Sequence, residues 1–188
     1  DQTLLPTASF SGTMVTIENA RAFRYTSPTE YSTNYYTEQY NLDEIEKMYY
    51  IIEPFSEKDG PAHTMVSFSF SGGKNVVISP EIRKERGETF DAIRGLMNQY
   101  ELVYMIGDEE DLIKLRTNYR KDQVYMYPVR ATKSEIALFF RSLLIRSDKL
   151  AREPEFYNTF WNACSTSLLD HANALRNNKL SWNLNVLL

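Results

Sequence analysis

The stretch AHTMVSFSFSGGKNVVIS, residues 62–79, decides how this chain folds. Its side chains alternate, with His63, Met65, Ser67 and Ser69 on one face and Thr64, Val66, Phe68 and Phe70 on the other, the period of a β-strand. Gly72-Gly73 supplies a turn, so NVVIS is predicted to pair back as the second arm of a hairpin. Working outward, QYELVYMIG (99–107) and QVYMYPV (123–129) carry the same β-branched and aromatic enrichment, and TMVTIENARAFRY (13–25) reads as a first strand. Sheet packing accounts for the spacing of Tyr100, Tyr104, Tyr125 and Tyr127.

Helical signals surround these strands. In DEEDLIKLRTNY (108–119) the acids come first and the cations later, the order a helix dipole favours. Thr132 and Glu135 form a capping-box pattern, and Ile136, Phe139, Phe140, Leu143 and Leu150 follow as one apolar stripe. Pro154 closes that region, and a last helix is predicted from about Asn162 to Leu175. Upstream, Leu42, Ile45, Met48 and Ile52 lie at three- and four-residue spacing behind Asn41, which predicts a short helix ending before Pro54. SPTEYSTNYYTEQY (27–40) has no sustained apolar period and reads as irregular, and EKDGP (57–61) reads as a turn. With no internal repeat, low-complexity tract or linker, residues 1–188 are expected to form one α+β domain, an antiparallel sheet packed against helices.

Composition narrows the function. A chain of 188 residues with 43% apolar and 13% aromatic content suffices for one buried core. The net charge of -4, from 21 basic and 25 acidic residues interspersed along the chain, provides no basic stripe, so nucleic acid is not an expected partner. Two histidines 108 positions apart and one cysteine make no zinc ligand set. Gly72-Gly73 lacks the following Lys-Ser/Thr of a phosphate loop, and no cofactor is expected. A lone cysteine excludes an internal disulfide. The chain starts at Asp1 without an initiator Met or a basic and apolar leader, which fits a removed signal segment and a trimmed piece equally. No apolar run reaches the roughly 20 residues that span a bilayer, the longest being broken by Arg141 and Ser142.

The chemistry centres on FYNTFWNACSTSLLDHANAL (156–175). In the first turn of the last helix, Cys164 meets unpaired N–H groups and the positive end of the dipole, which favour a thiolate. The same position on a stripe with Leu168, Ala172 and Leu175 also suits a buried, inert filler. A nucleophile needs a base. His171, seven residues along the same helix, is displaced by about 10 Å and is excluded, leaving it a surface polar residue. His63 lies on a strand, on the face of Ser67 and Ser69, and a helix laying its cysteine stripe on that face would join the two. Ser79 and Glu81 share a strand face beside His63; Glu81 is the better orienter because a carboxylate also stabilises an imidazolium, against a plain salt bridge to Arg83 or Arg86. Arg83, Lys84 and Arg86 read either as a phospholipid head-group contact or as a solvated strand end interrupted by Glu85 and Glu88. Phe156, Tyr157 and Trp161 either wall an acyl pocket or pack the approach to the helix.

A histidine on an early strand before a cysteine at the start of a late helix is the order of the circularly permuted papain-like proteins, which include the lecithin retinol acyltransferases. A closer resemblance rests on VTIENARAFRY, AHTMVSFSF, ISPEIRKERGE, YELVYMIGDEEDLIKLRTNYR, VYMYPV and EPEFYNTFWNACST, which in this order resemble the Lnb-type N-terminal periplasmic domain of bacterial lipoprotein N-acyltransferases. The resemblance covers residues 13 to about 175. It implies an extracytoplasmic, membrane-associated enzyme in which Cys164 is the nucleophile and His63 the base. The acyl donor would be a phospholipid, the acceptor the amino-terminal cysteine of a lipoprotein, and the intermediate a thioester. The family usually reads two asparagines before the cysteine; here Asn162 is followed by Ala163. A thiol hydrolase acting on peptide or lipid, and a non-catalytic domain binding lipid or protein, are the alternatives.

Overall fold

The computed structural model describes residues 3–56, 61–83, 100–158, 163–176 and 179–180. Their strands are β1 (Thr7–Ser11), β2 (Met14–Arg21), β3 (Arg24–Tyr25), β4 (Tyr31–Ser32), β5 (Tyr35–Asn41), β6 (Ile45–Pro54), β7 (Ala62–Phe70), β8 (Asn75–Arg83), β9 (Glu101–Gly107) and β10 (Tyr125–Pro128). The helices are α1 (Glu109–Leu112), a π-turn over Leu115–Arg120, α2 (Lys133–Arg152) and α3 (Cys164–Ala174).

The architecture is α+β. Eight strands form one sheet in the order β1-β2-β9-β8-β7-β6-β10, with β5 also paired to β2, while β3 and β4 form a separate pair. The β7–β8 hairpin holds as predicted, and Gly72 and Gly73 turn it at φ +80° and +81°, conformations that L side chains rarely adopt. One junction departs from the antiparallel expectation: β2 meets β9 in parallel, Arg21 opposite Gly107. A Cβ at Gly107 would lie 2.8 Å from the Arg21 carbonyl oxygen, so glycine is required for that approach.

Each face of the sheet carries a different layer. Val66, Phe68, Phe70, Ile78 and Tyr104 pack under α2 and α3, joined by Phe139, Phe140, Leu143 and Leu168. The Phe68 and Phe140 ring centroids are 4.7 Å apart. The Thr132–Glu135 capping box starts α2 as expected, Glu135 Oε2 accepting from the Thr132 amide at 2.8 Å. On the other face a smaller cluster of Ile51, Met65, Val77 and Leu112 packs under α1.

Two segments correct the sequence reading. Of the stretch expected to be helical between Asn41 and Pro54, Leu42–Glu44 form one 3-10 turn capped by Asn41, and Ile45–Pro54 form β6, which pairs with β7 along its whole length and with β10 on its other side. A register shift between Ile45 and Lys47 lets Ile45 and Met48 both join the helix-covered core, while Ile51 belongs to the opposite face. A bulged strand buried on both sides thus yields helix-like apolar spacing. The tyrosine-rich stretch, expected to be irregular, contains β4 and β5, and Tyr40 packs on Phe70 at 4.9 Å between centroids.

Between β7 and β8 the ladder is partial. It runs from Ser69 opposite Asn75 to Val66 opposite Ile78 and stops there. β7 continues beside β6 to Ala62 opposite Pro54, and β8 continues beside β9 to Arg83 opposite Glu101. Pro80, just past the last pair, has no amide hydrogen to offer a neighbour. The strand ends carrying His63 and Glu81 are therefore no longer laddered to each other, and the start of α3 comes in at this opening.

Candidate active site

The last helix begins at Cys164 behind Ala163. Ala163 has no side-chain oxygen to cap it, and the buried Thr166 turns back instead, its Oγ1 accepting from the Ala163 amide at 2.8 Å. Cys164 occupies the first helical position, half-buried, with Sγ 3.9 Å from the Ala62 carbonyl oxygen at the start of β7. Leu168 sits in the core formed by Val66 and Phe68, so α3 packs on the face opposite His63, not on the His63 face as expected. The two side chains come within electrostatic reach all the same, through the opening where β7 and β8 part, the Cys164 Sγ lying against the carbonyl of the residue before His63.

His63 is buried on β7. Its Nε2 lies 2.7 Å from Ser79 Oγ and 3.2 Å from Glu81 Oε1. Ser79 Oγ donates to Glu81 Oε1 at 2.8 Å, so its oxygen is left to accept from Nε2–H. That commits Nε2 to the β8 side and leaves Nδ1 as the nitrogen available to the thiol. Burial alone lowers the imidazole pKa, but the Glu81 charge and the thiol outweigh it and push His63 up to about 10. Burial likewise raises the Cys164 thiol, yet the hydrogen bond and charge of His63 and the Thr64 amide bring it below its ordinary value. Glu81, opposed by its own burial, is held well below the usual carboxylate range by His63, Arg116 and Ser79. Each shift moves its group towards the charged form, the thiol towards thiolate, the imidazole towards imidazolium and the carboxyl towards carboxylate.

Residues 31–186 match the family model of the Lnb N-terminal periplasmic domain. The chain belongs to this family. As an Lnb N-terminal periplasmic domain it resides in the periplasm. Among its described residues no helix is long and apolar enough to cross a membrane. No curated protein and no solved structure matches the chain.

Within this Lnb domain the remaining sequence expectations separate as follows. Glu81 bonds His63, Ser79 and Arg116, while Arg83 donates to Glu101 at 3.0 Å. Glu81 therefore has no ordinary ion pair with Arg83. Tyr157 is half-buried, its amide donating to the Tyr100 carbonyl at 2.7 Å while its ring packs on the main core. Phe156 is exposed at 61%. Asn162, Trp161, Lys84 and Arg86 lie outside the described residues. His171, expected to be a surface polar residue, is instead half-buried: Nε2 lies 3.2 Å from the Tyr104 hydroxyl and Nδ1 3.0 Å from Ser142 Oγ. Arg116 and Glu53 were missed by the sequence reading. The available signal was a cation four residues after Leu112, on the apolar side of its helix.

Proposed function

We propose that this domain is a thiol acyltransferase that moves an acyl chain from a phospholipid to the N-terminal cysteine amine of a bacterial lipoprotein. The observation that carries the reading is the coupling of Cys164 to a buried histidine whose second nitrogen is held by Ser79 and Glu81. An inert buried cysteine has no use for such a partner; a nucleophile does. The substrate class is the one the sequence resemblance implies, and a periplasmic location is compatible with it.

In the first half-reaction the Cys164 thiolate attacks the ester carbonyl of the phospholipid. The first-turn N–H groups of α3 have no acceptor within the helix and are oriented to stabilise the oxyanion that forms. The acyl C–O bond breaks, the His63 imidazolium protonates the departing lyso-lipid oxygen, and a thioester remains on Sγ. In the second half the lipoprotein amine attacks that carbonyl, neutral His63 takes the amine proton, and the C–S bond breaks to return the thiolate and imidazolium. No cofactor enters this cycle. The exposed Phe156 ring and the half-buried Tyr157 precede the helix and suit an apolar acyl chain and a membrane surface better than a peptide backbone.

The test uses the full-length protein in membranes. Incubation with phospholipid is expected to add an acyl mass on Cys164, labile to hydroxylamine, that is absent from Cys164→Ala and His63→Ala. An unmodified wild-type cysteine in the same preparation would leave a non-catalytic binding domain. An adduct that discharges to free fatty acid at the same rate with and without a lipoprotein acceptor would make the domain a hydrolase.

A further inference from the structure

Glu81 does not hold His63 unaided. The same Oε1 that faces the imidazole accepts from Arg116 Nη2 at 2.9 Å, and Arg116 is itself buried. Its other nitrogens are also engaged: Nε donates to Glu53 Oε2 at 2.6 Å, and Nη1 donates to the Leu112 carbonyl at 2.6 Å. Glu53, also buried, is the cross-strand neighbour of His63 on β6. The result is a chain of alternating charge through the sheet face, Glu53, Arg116, Glu81, His63 and Cys164.

The backbone is wound to permit this. Arg116 stands at the second position of the π-turn, and its own amide donates to Ile113 at 3.0 Å instead of to Leu112 four residues back. The guanidinium takes the Leu112 carbonyl, so the irregular winding provides the third acceptor that fixes its plane. Upstream, the buried Asp111 of α1 anchors the segment to the sheet, accepting from Arg21 Nη2 at 2.7 Å and from the Phe23 amide at 2.9 Å. The charged groups acting on Glu81 are His63 and Arg116; Glu53 pairs with Arg116, and Arg21, paired with Asp111, also feels the Glu81 charge.

We propose that Arg116 is a positioning residue for the nucleophile: clamped by Glu53 and the Leu112 carbonyl, it fixes the Glu81 carboxylate where that group keeps His63 charged beside Cys164. A planar fork with donors in three directions is needed; a lysine ammonium would supply the charge without the geometry. Without the clamp, a carboxylate already a quarter exposed turns towards water, and His63 loses its counter-charge.

The inference rests on Cys164 being the nucleophile, and its test reads the thiol directly, without acyl transfer. The pH dependence of iodoacetamide alkylation of Cys164 is measured in wild type, Arg116→Met, Arg116→Lys and Glu53→Gln. The wild-type profile tests the dyad; the differences test Arg116. The expected result is a thiol limb displaced upward by a unit or more in Arg116→Met and an imidazole limb displaced downward. Arg116→Lys should recover part of the displacement, and Glu53→Gln should show a smaller one of the same sign. Glu53→Gln keeps the side-chain shape and decides the matter if Arg116→Met fails to fold. Profiles unchanged in Arg116→Lys and Glu53→Gln would overturn the proposal, as would an imidazole limb displaced upward, because Glu81 would then hold its place as an unneutralised carboxylate.

Discussion

Of the two histidines of this chain, His63 meets α3 from a strand and His171 lies on α3 itself, and their electrostatic fates are opposite. His63 meets α3 at its cysteine end and is pushed up to about 10; His171, near the other end, is pushed down to about 4. Burial lowers both. The difference is in the partners. Ser142 Oγ gives its hydrogen to the Phe139 carbonyl and is left to accept from His171 Nδ1–H, so the Tyr104 hydroxyl donates to Nε2. Neutral imidazole satisfies that site completely, and the charge of Arg146 further disfavours a proton. His63 has the Glu81 carboxylate beside its Nε2, and that negative charge favours the imidazolium. Burial therefore sets the stakes, and neighbouring charge decides which form prevails.

The largest expected effect comes from removing the charged member. His63→Ala should slow acyl transfer by ~10²- to ~10⁴-fold, the usual contribution of a general acid–base group, whereas His171→Asn should stay within a few-fold of wild type in the same assay. Comparable losses in both would erase the distinction between the two sites. Next in size is Glu81→Gln, which keeps the hydrogen-bonding shape and removes the charge. Its imidazole limb should fall from about 10 and its thiol limb should rise.

Stability against pH sharpens the comparison further, because the two histidines contribute with opposite sign. His63 binds its proton more tightly in the folded state, so its contribution is fully present below about pH 6.5 and is lost as pH rises through about 10. His171 holds its proton less tightly in the folded state, so its contribution is present above about 6.5 and is lost as pH falls towards 4. Denaturant unfolding across this range should show His171→Asn flattening the acid slope and His63→Ala flattening the alkaline one. Exchange of those two effects would contradict the assignment of charge. The smallest effect is expected for Tyr104→Phe, which removes one hydroxyl from the His171 site and should cost about 1 kcal/mol of stability while leaving the Cys164 alkylation profile in place.

Much of this was legible in the sequence where a local signal existed. The alternation of residues 62–70, the turn at Gly72-Gly73 and the Thr132–Glu135 cap each depend on neighbours within a few positions, and each holds. Cys164 at a helix start and His63 on a strand were readable for the same reason, and Ser79 and Glu81 followed from strand parity. The errors arose where tertiary structure overrides the local pattern. Apolar spacing at Ile45, Met48 and Ile52 suits a helix, but a central strand with a register shift and two covered faces produces it as well. His171 looked like a surface residue because its partners lie 67 and 29 positions away. Arg116 finds Glu53 and Glu81 at separations of 63 and 35, and no local pattern encodes such a pairing. The meeting of Cys164 and His63 from opposite faces follows from the partial β7–β8 ladder, which alternation alone does not reveal.

The central claim is that His63, kept charged by Glu81, lowers the Cys164 thiol below its ordinary value. Alkylation of Cys164 by iodoacetamide from pH 4 to 11, in wild type and His63→Ala, addresses it most directly. The account predicts faster modification at neutral pH in wild type than in His63→Ala, with a thiol limb below the free-cysteine value of about 8.5 and a second inflection near 10, both abolished in His63→Ala. A wild-type rate that follows an ordinary thiol titration and is unchanged by His63→Ala would contradict it.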